Sequence, residues 1–317
     1  MNEVIVFILF AVGLVLILKG GDMFVDAASN AASMLGVPKF IIGATIVSFA
    51  TTMPEMMVSV MAAFDGRLDM AVGNAIGSVT ANTGLIMALS AVFMPSDLNR
   101  RLYAPKSCML ICAVLCLWLI CAKGTLSAKN SFVLLFIILI YIMENIDSGR
   151  KNISSENGYI SKKGLFKETV YFLIGAAAVI MGSRLLVDNG SAIARLFNVP
   201  ENVIAVTMVA LGTSLPELVT AITAIAKKEA ALTAGNIIGA NIIDTALILP
   251  VCAIIRGGKM AIDTHTVFLD IPVCILIVCF NLIPMLITGE RKRSLGIISI
   301  LIYIAYILIT CFASPFA

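Results

Sequence analysis

The sequence has few charged residues. Asp, Glu, Lys and Arg make up 13% of its 317 residues, whereas hydrophobic residues make up 60%. A soluble globular domain carries about 25% charged and about 45–50% apolar residues. This shortage excludes a soluble enzyme, a nucleic-acid-binding protein and a disordered chain. The net charge of +3 is too small to indicate a polyanionic partner.

Histidine and paired cysteine are also scarce. His265 is the single histidine, and none of the eight cysteines forms a C-x-x-C pair. One histidine cannot build a zinc site or a histidine proton relay. The cysteines lie inside apolar stretches, which favours packing over disulfides. The Y-D and G-x-G-D motifs of an intramembrane aspartyl protease are absent. We therefore expect neither an enzyme nor a bound cofactor.

Apolar stretches, by contrast, are long and numerous. A membrane-spanning helix needs about 20 mostly apolar residues. Ten stretches qualify as candidates: 3–18, 40–63, 70–95, 105–122, 131–146, 168–187, 203–226, 230–255, 266–288 and 295–315. The first lacks a basic leader and a small-residue cleavage site, so it is expected to be a retained helix. The connections leave no room for a soluble domain. The prediction is an all-α, multi-pass protein of the cell membrane, with the lipid bilayer as its surroundings and no obligate protein partner.

The distribution of basic residues predicts an orientation. If the N-terminus lies outside, the odd-numbered connections hold fifteen of the 22 Lys and Arg residues and the even-numbered ones hold seven. Basic residues concentrate in cytoplasmic connections. Both termini are therefore expected to be extracellular.

The chain repeats itself once at a constant offset. Between 36–86 and 198–248, 16 of 51 positions are identical without a gap. The aligned pairs include polar residues: Pro54-Glu55 with Pro216-Glu217, and Gly73-Asn74 with Gly235-Asn236. Five helices in each half place the second half upside down relative to the first. We predict two inverted five-helix repeats at 1–147 and 168–317, joined by a cytoplasmic linker loop at 148–167. Inverted repeats with broken helices at the midplane are typical of secondary transporters.

Two pairs of motifs carry the chemistry. The first pair is SFATTMPE at 48–55 and ALGTSLPE at 210–217. A proline inside a helix frees the carbonyl four residues earlier, here that of Ala50 or Gly212. The second pair is GNAIGSVTAN at 73–82 and GNIIGANIID at 235–244, where the spacing of the glycines indicates close helix packing. Polar Asn82 and Asp244 end these motifs and are expected to line a site.

Glu55, Glu217 and Asp244 all fall within apolar helices, and no Lys or Arg lies at a comparable depth. A carboxylate there costs about 3 kcal/mol on insertion scales, so it indicates function. Such carboxylates require protons or bound cations. Oxygen ligands alone suit calcium, which takes about 6–8 oxygens, and they are also compatible with sodium. The absence of thiolate and imidazole argues against zinc, copper and iron.

These motifs resemble those of the calcium/cation antiporter superfamily, and within it the prokaryotic sodium/calcium exchangers. The resemblance covers nearly the whole chain. It implies that calcium is held by Glu55, Glu217 and the carbonyls of Thr51 and Thr213. It places sodium sites around Ser48, Thr52, Ser78, Ala210 and Ser214, with Asn82 and Asp244 at the centre. It further implies that the first and sixth helices slide past the core to switch access.

The chain departs from the family pattern at Ser48, where alanine is usual, at Thr52-Met53, where Ser-Leu is usual, and at Ala240, where a serine is expected to bind sodium. The expected function is secondary active exchange of calcium for sodium at one shared site. Two alternatives stay open: a calcium/proton antiporter, and an exchanger that also transports potassium.

Overall fold

The computed structural model describes residues 3–95, 99–152, 162–197 and 212–313, and nearly all of these residues are helical. The α-helices are α1 (Glu3–Leu35), α2 (Lys39–Ile42), α3 (Ser48–Thr51), α4 (Met53–Phe64), α5 (Leu68–Ala81), α6 (Ala88–Phe93), α7 (Arg100–Cys121), α8 (Ala128–Lys151), α9 (Lys162–Leu196), α10 (Leu215–Ala226), α11 (Ala230–Ile243), α12 (Leu249–Ile255), α13 (Ile271–Thr288) and α14 (Arg293–Ala313). Four π-helical segments interrupt them: π1 (Gly43–Val47), π2 (Asn82–Met87), π3 (Asp244–Ile248) and π4 (Thr266–Asp270).

Eight of the described helices are long and apolar enough to cross a membrane, and the bent unit from Lys39 to Phe64 would make a ninth. This confirms a multi-pass helical protein. The expected tenth span, 203–226, is described only as the twelve-residue apolar helix α10, and its first part lies outside the described residues. The count of ten helices therefore stays a prediction.

The first and sixth candidate helices are longer than the sequence predicted. The prediction of 3–18 was wrong about the end of α1, which continues to Leu35 through Lys19 and Asp22. Likewise, α9 covers 162–196 instead of 168–187, and α8 reaches Lys151, so helix occupies both ends of the predicted 148–167 loop. Polar residues were read as breaks, but none of those in α1 is a proline, and proline is the strong helix breaker.

Glycines let α1 and α9 cross closely. A Cβ on Gly20 would lie 2.7 Å from the Cβ of Ala178, and a Cβ on Gly182 would lie 2.8 Å from the carbonyl of Gly13. Close backbone approach of this kind is the packing mode of small residues in membrane helices. The two longest helices thus form one unit that lies against the rest of the protein.

Helix boundaries in the two halves recur at the same spacing of 162 residues that aligns Pro54 with Pro216. Helices α4 and α10 begin at residues 53 and 215, and α5 and α11 begin at 68 and 230. The π-helical segments π2 and π3 begin at 82 and 244. The same local sequence therefore folds the same way twice. The inverted orientation of the two halves stays a prediction.

Helix α11 lies at the centre, with every residue from Leu232 to Ile243 buried. It crosses α2 and π1 at very short range, because a Cβ on Gly235 would lie 2.1 Å from the carbonyl of Phe40. The two halves also meet in an antiparallel ribbon of β1 (Thr125–Ser127) and β2 (Lys259–Ala261), with Leu126 opposite Met260. These contacts bring residues of both halves to one central region.

Candidate functional site

Three carboxylates lie in the interior, and each is at the start of a helical segment. Glu55 is in the first turn of α4, Glu217 is in the first turn of α10, and Asp244 opens π3. All three are fully buried. Helix N-termini favour negative charge because their N–H groups lack helical partners. Because a new helix begins just before each glutamate, the N–H groups of its first turn lower the free-energy cost of burying the carboxylate.

Most oxygens of these three carboxylates have no hydrogen-bond donor among the described residues. Both oxygens of Glu55, both of Asp244 and Oε2 of Glu217 are buried and accept no hydrogen bond from the described residues. The remaining oxygen, Oε1 of Glu217, accepts from Thr52 Oγ1 at 3.4 Å. Buried acceptors normally have partners. These oxygens are therefore available to an ion or a proton.

The buried cations of the described residues are engaged elsewhere. Lys106 forms an ion pair with Glu144. Arg291 donates from Nη2 to the carbonyl of Met87 at 3.1 Å. Among the described residues, no Lys or Arg forms an ion pair with Glu55, Glu217 or Asp244.

The helix is interrupted just before Pro54, where the sequence predicted a break. Helix α3 ends at Thr51, and α4 begins at Met53 with Pro54 in its first turn. The two parts of this unit are bent by 45°. Beyond each proline the helical pattern resumes in the same way: the N–H of Met56 donates to Thr52 and that of Leu218 to Ser214, both at 3.0 Å.

Two asparagines, not expected as site residues, connect the halves. Thr51 Oγ1 donates to Asn236 Oδ1 at 3.2 Å, and Thr213 Oγ1 donates to Asn74 Oδ1 at 3.1 Å. Asn74 also donates to the carbonyl of Glu55 at 3.2 Å. Each half therefore fixes the threonine of the other half's broken helix. The signal for this role was present in the sequence, since both Gly-Asn pairs match, but the sequence analysis assigned a role to the glycines and to the last residue of each motif, not to these asparagines.

The residues predicted to bind sodium are brought together in part. Ser214 Oγ donates to Ser78 Oγ at 3.3 Å, so the two halves meet there too. Thr52 contacts Glu217, whereas the Ser48 hydroxyl donates to the carbonyl of Thr45 in its own helix at 3.0 Å. Ala210 lies outside the described residues. Ala240, which stands where a serine was expected, is fully buried.

Asn82 and Asp244 hold matched positions as the first residues of π2 and π3. Both polar atoms of the Asn82 amide are buried without a partner among the described residues, like the carboxylate of Asp244. Single π-helical turns occur frequently at functional sites. The sequence marked these two residues, but gave no sign of the π-helical geometry.

The described residues contain no group of three or more His, Cys, Asp or Glu side chains placed to hold a metal by themselves. A bound cation would therefore need hydroxyl, amide or carbonyl oxygens as well as carboxylates. The surroundings provide hydroxyls at Thr52 and Ser214 and an amide at Asn82. An all-oxygen site suits a hard cation such as calcium or sodium.

Comparison with known proteins gives one consistent family. The family profile described as "Sodium/calcium exchanger protein" matches residues 5–146 and 167–312. The inner membrane protein YrbG of Escherichia coli (strain K12) is 30% identical over 317 residues, covering 97% of each chain. The sodium/calcium exchanger MaX1 of Methanosarcina acetivorans is 28% identical over 344 residues, covering 96% of this chain and 97% of its own.

Solved structures agree with this result. The sodium-calcium exchanger NCX_Mj, soaked with 2.5 mM Na+ and 10 mM Sr2+, matches with a TM-score of 0.85 and 28% identity, covering 96% of this chain and 99% of that one. The same exchanger at 100 mM Na+ and 10 mM Sr2+ also matches with a TM-score of 0.85, covering 99% and 100% of the two chains. The likeness therefore spans both halves of the chain.

Proposed function

Because this chain belongs to the sodium/calcium exchanger protein family, we propose that it exchanges calcium for sodium across the cell membrane by alternating access to one shared site. Calcium binds between Glu55 and Glu217, with the carbonyls of Thr51 and Thr213 completing part of its shell. Sodium binds around the same carboxylates through Ser48, Thr52, Ser78, Ala210 and Ser214. Asn82 and Asp244 lie at the centre.

The observation that carries this proposal is the set of five buried carboxylate oxygens that have no donor among the described residues: two on Glu55, two on Asp244 and one on Glu217. A buried anion without a partner is unstable unless a cation or a proton joins it. The same oxygens cannot hold a calcium ion and a full set of sodium ions together. Competition at one site therefore yields exchange, provided that only the occupied site changes sides.

The proposed architecture follows from the repeat. Ten helices form two inverted five-helix repeats at 1–147 and 168–317, with both termini outside. A cytoplasmic linker joins them within 148–167, and it is shorter than the sequence predicted because α8 and α9 extend into that segment. Support comes from the helix boundaries that recur at the offset of the repeat and from the reciprocal contacts of Thr51 with Asn236 and Thr213 with Asn74. In such transporters the substrate site lies where the repeats meet.

The test is calcium uptake into proteoliposomes that contain the purified protein, with one gradient imposed at a time. An outward sodium gradient should drive uptake, whereas potassium or proton gradients of equal size should not. Uptake driven by protons alone would favour the calcium/proton antiporter. A requirement for potassium together with sodium would favour the potassium-dependent exchanger. Uptake under none of these gradients would contradict exchange altogether.

A further inference from the structure

Two turns at matched positions carry opposite charges. Asp65 lies in the turn between α4 and α5, and Lys227 occupies the matching position of the repeat, in the turn between α10 and α11. The backbone shape is the same in both turns, because the next residue has a positive φ, 78° at Gly66 and 60° at Lys228. The repeat has therefore kept the turn and reversed its charge.

The charge reversal extends to the two long helices. Asp22 on α1 is matched by Arg184 on α9. An ion pair between Asp22 and Lys227 thus has a counterpart in which both signs are exchanged, Arg184 with Asp65. Reversal of both partners preserves attraction within each pair while preventing either long helix from attracting the wrong turn.

One of these pairs is formed in the structure. Lys227 Nζ lies 2.7 Å from Asp26 Oδ1 and 3.4 Å from Asp22 Oδ1. We call these three residues the first latch. They join α1 to the end of α10.

The counterpart is not formed. Asp65 is paired with Arg67 of its own turn at 2.9 Å. Arg184 is exposed and has no ion pair to another described residue. We call Arg184 and Asp65 the second latch. Asp188, the counterpart of Asp26, is also acidic and so cannot pair with Asp65. The second latch can therefore form one ion pair, whereas the first forms two.

Packing shows the same asymmetry. At the Lys227 end α1 lies directly on α10, because a Cβ on Gly21 would be 2.9 Å from Thr223 Oγ1 and 3.1 Å from Val219 Cγ1. The counterparts of Val219 and Thr223 on α4 are Met57 and Met61, which are 46% and 62% exposed. At the Lys227 end a long helix therefore covers α10, whereas at the other end no described long helix covers Met57 and Met61 of α4.

We propose that the two latches set which side of the protein the ion site opens to. The first latch keeps the Lys227 end closed in this conformation. In the alternate conformation it opens, α9 moves onto Met57 and Met61, and the second latch closes the Asp65 end. Inverted repeats that exchange conformations produce this reversal. The inference rests on the alternating access proposed above, and it makes these five residues positioning residues rather than ion ligands.

The experiment measures conformation by cross-linking. The Asp65→Cys/Arg184→Cys pair is placed in a chain whose eight native cysteines are replaced, reconstituted in liposomes and treated with a short bifunctional thiol reagent. Lys227→Gln should raise the cross-linking rate about two- to fivefold, the change that corresponds to loss of exposed ion pairs. Asp22→Asn/Asp26→Asn should do the same from the other partner. In the reciprocal pair, Asp22→Cys/Lys227→Cys, the variant Asp65→Asn should raise the rate.

Two controls separate the latch from general damage. Lys228→Gln removes the same charge one residue away, where the described residues offer no ion pair, and should leave the rate unchanged. Asp26→Lys/Lys227→Asp restores the pair in reverse and should return the rate to that of the parent. Equal rates in the Lys227→Gln variant and its parent, or an equal rise with Lys228→Gln, would overturn the proposal. Cross-linking reports the distance between two residues and does not depend on transport. If the parent protein shows no sodium-driven calcium uptake, the exchange reaction is refuted, whatever the cross-linking rates are.

Discussion

The positions of Glu55 and Glu217 are set by the helix starts just before them. Each lies in the first turn of a helix that begins just before a proline, and each is fully buried. The free N–H groups of that first turn offset part of the cost of a buried carboxylate. They do not neutralise it, so the pair remains dependent on a cation.

Glu55→Gln and Glu217→Gln should each abolish calcium transport while the protein stays folded, because an amide keeps the shape but cannot supply the charge that calcium requires. The midpoint of thermal unfolding in ion-free buffer should be unchanged or higher, since an unpaired buried charge is removed. Glu290→Gln, at an exposed position, is the matched control and should transport normally. Near-normal uptake by either site variant would refute the site.

Asn74→Ala and Asn236→Ala should weaken calcium binding by about tenfold or more, the effect typical of removing groups that orient ligands. Each variant releases one threonine, Thr213 or Thr51, at the break where a calcium ligand is proposed. The measurement is calcium affinity from concentration-dependent uptake. Asn189→Ala is the control, since the amide of this buried asparagine donates to the carbonyl of Leu185 in its own helix and bonds to no other described residue. An equal loss of affinity in all three variants would indicate general destabilisation.

At the scale of single residues, the sequence predicted the site residues that recur in both repeats or that carry a charge within an apolar helix. The carboxylates were found because Pro-Glu recurs and because an acid in an apolar helix stands out. Asn74 and Asn236 were not assigned, because their partners come from the other half of the chain, and sequence spacing carries no information about such contacts. The first apolar stretch was ended at residue 18, so Asp22 and Asp26 fell outside the predicted helix, whereas α1 continues past them to Leu35.

Among the helices, the broken unit from α2 to α4 carries first-half residues of the proposed ion site, Glu55 among them. Its first part changes from α to π to α geometry within the segment 39–51, before the bend at Thr52. Within π1, the carbonyl of Ala44 accepts a hydrogen bond from the Tyr141 hydroxyl of α8. The unit is therefore held by neighbouring helices rather than by its own backbone alone.

Pro54→Ala should straighten this unit and lower calcium flux by about tenfold. Alanine restores an N–H that can bond to the carbonyl of Ala50, which strengthens the helix but shifts Glu55 relative to Glu217. The thermal midpoint should not fall. Pro284→Ala, inside α13 and away from the carboxylates, is the control and should keep its flux. Unchanged flux in the Pro54 variant would show that the bend is dispensable.

Hydropathy predicted the helices well but not their ends. An apolar run marks the part of a helix in lipid, whereas α1 and α9 extend beyond it and are held by glycine contacts with each other. The π segments have no recognisable pattern in one sequence, because the extra residue of each is accommodated by packing. The ribbon of β1 and β2 joins one connection from each half, at 125–127 and 259–261, and no local pattern could indicate a pairing between such distant parts of the chain.

For the whole molecule, the important feature is that neither half contains the whole of the proposed ion site. Glu55 and Asn82 come from the first half, whereas Glu217 and Asp244 come from the second, and the hydrogen bonds between threonines and asparagines cross from one half to the other. An ion bound at these oxygens therefore links the halves, and its loss leaves buried anions that repel one another. Ion binding and global stability are thus coupled.

Calcium should accordingly stabilise the detergent-solubilised protein, and sodium should compete with it. A calcium concentration about 100-fold above the dissociation constant raises the free energy of unfolding by about 2.7 kcal/mol if only the folded state binds. The measurement is the thermal midpoint as a function of calcium, repeated at several fixed sodium concentrations with choline replacing sodium to hold ionic strength constant. Sodium should move the calcium dependence to higher calcium, choline should not, and Glu217→Gln should remove most of the calcium effect. A calcium dependence that sodium does not move would mean that the two ions use separate sites, and competition could then not drive exchange.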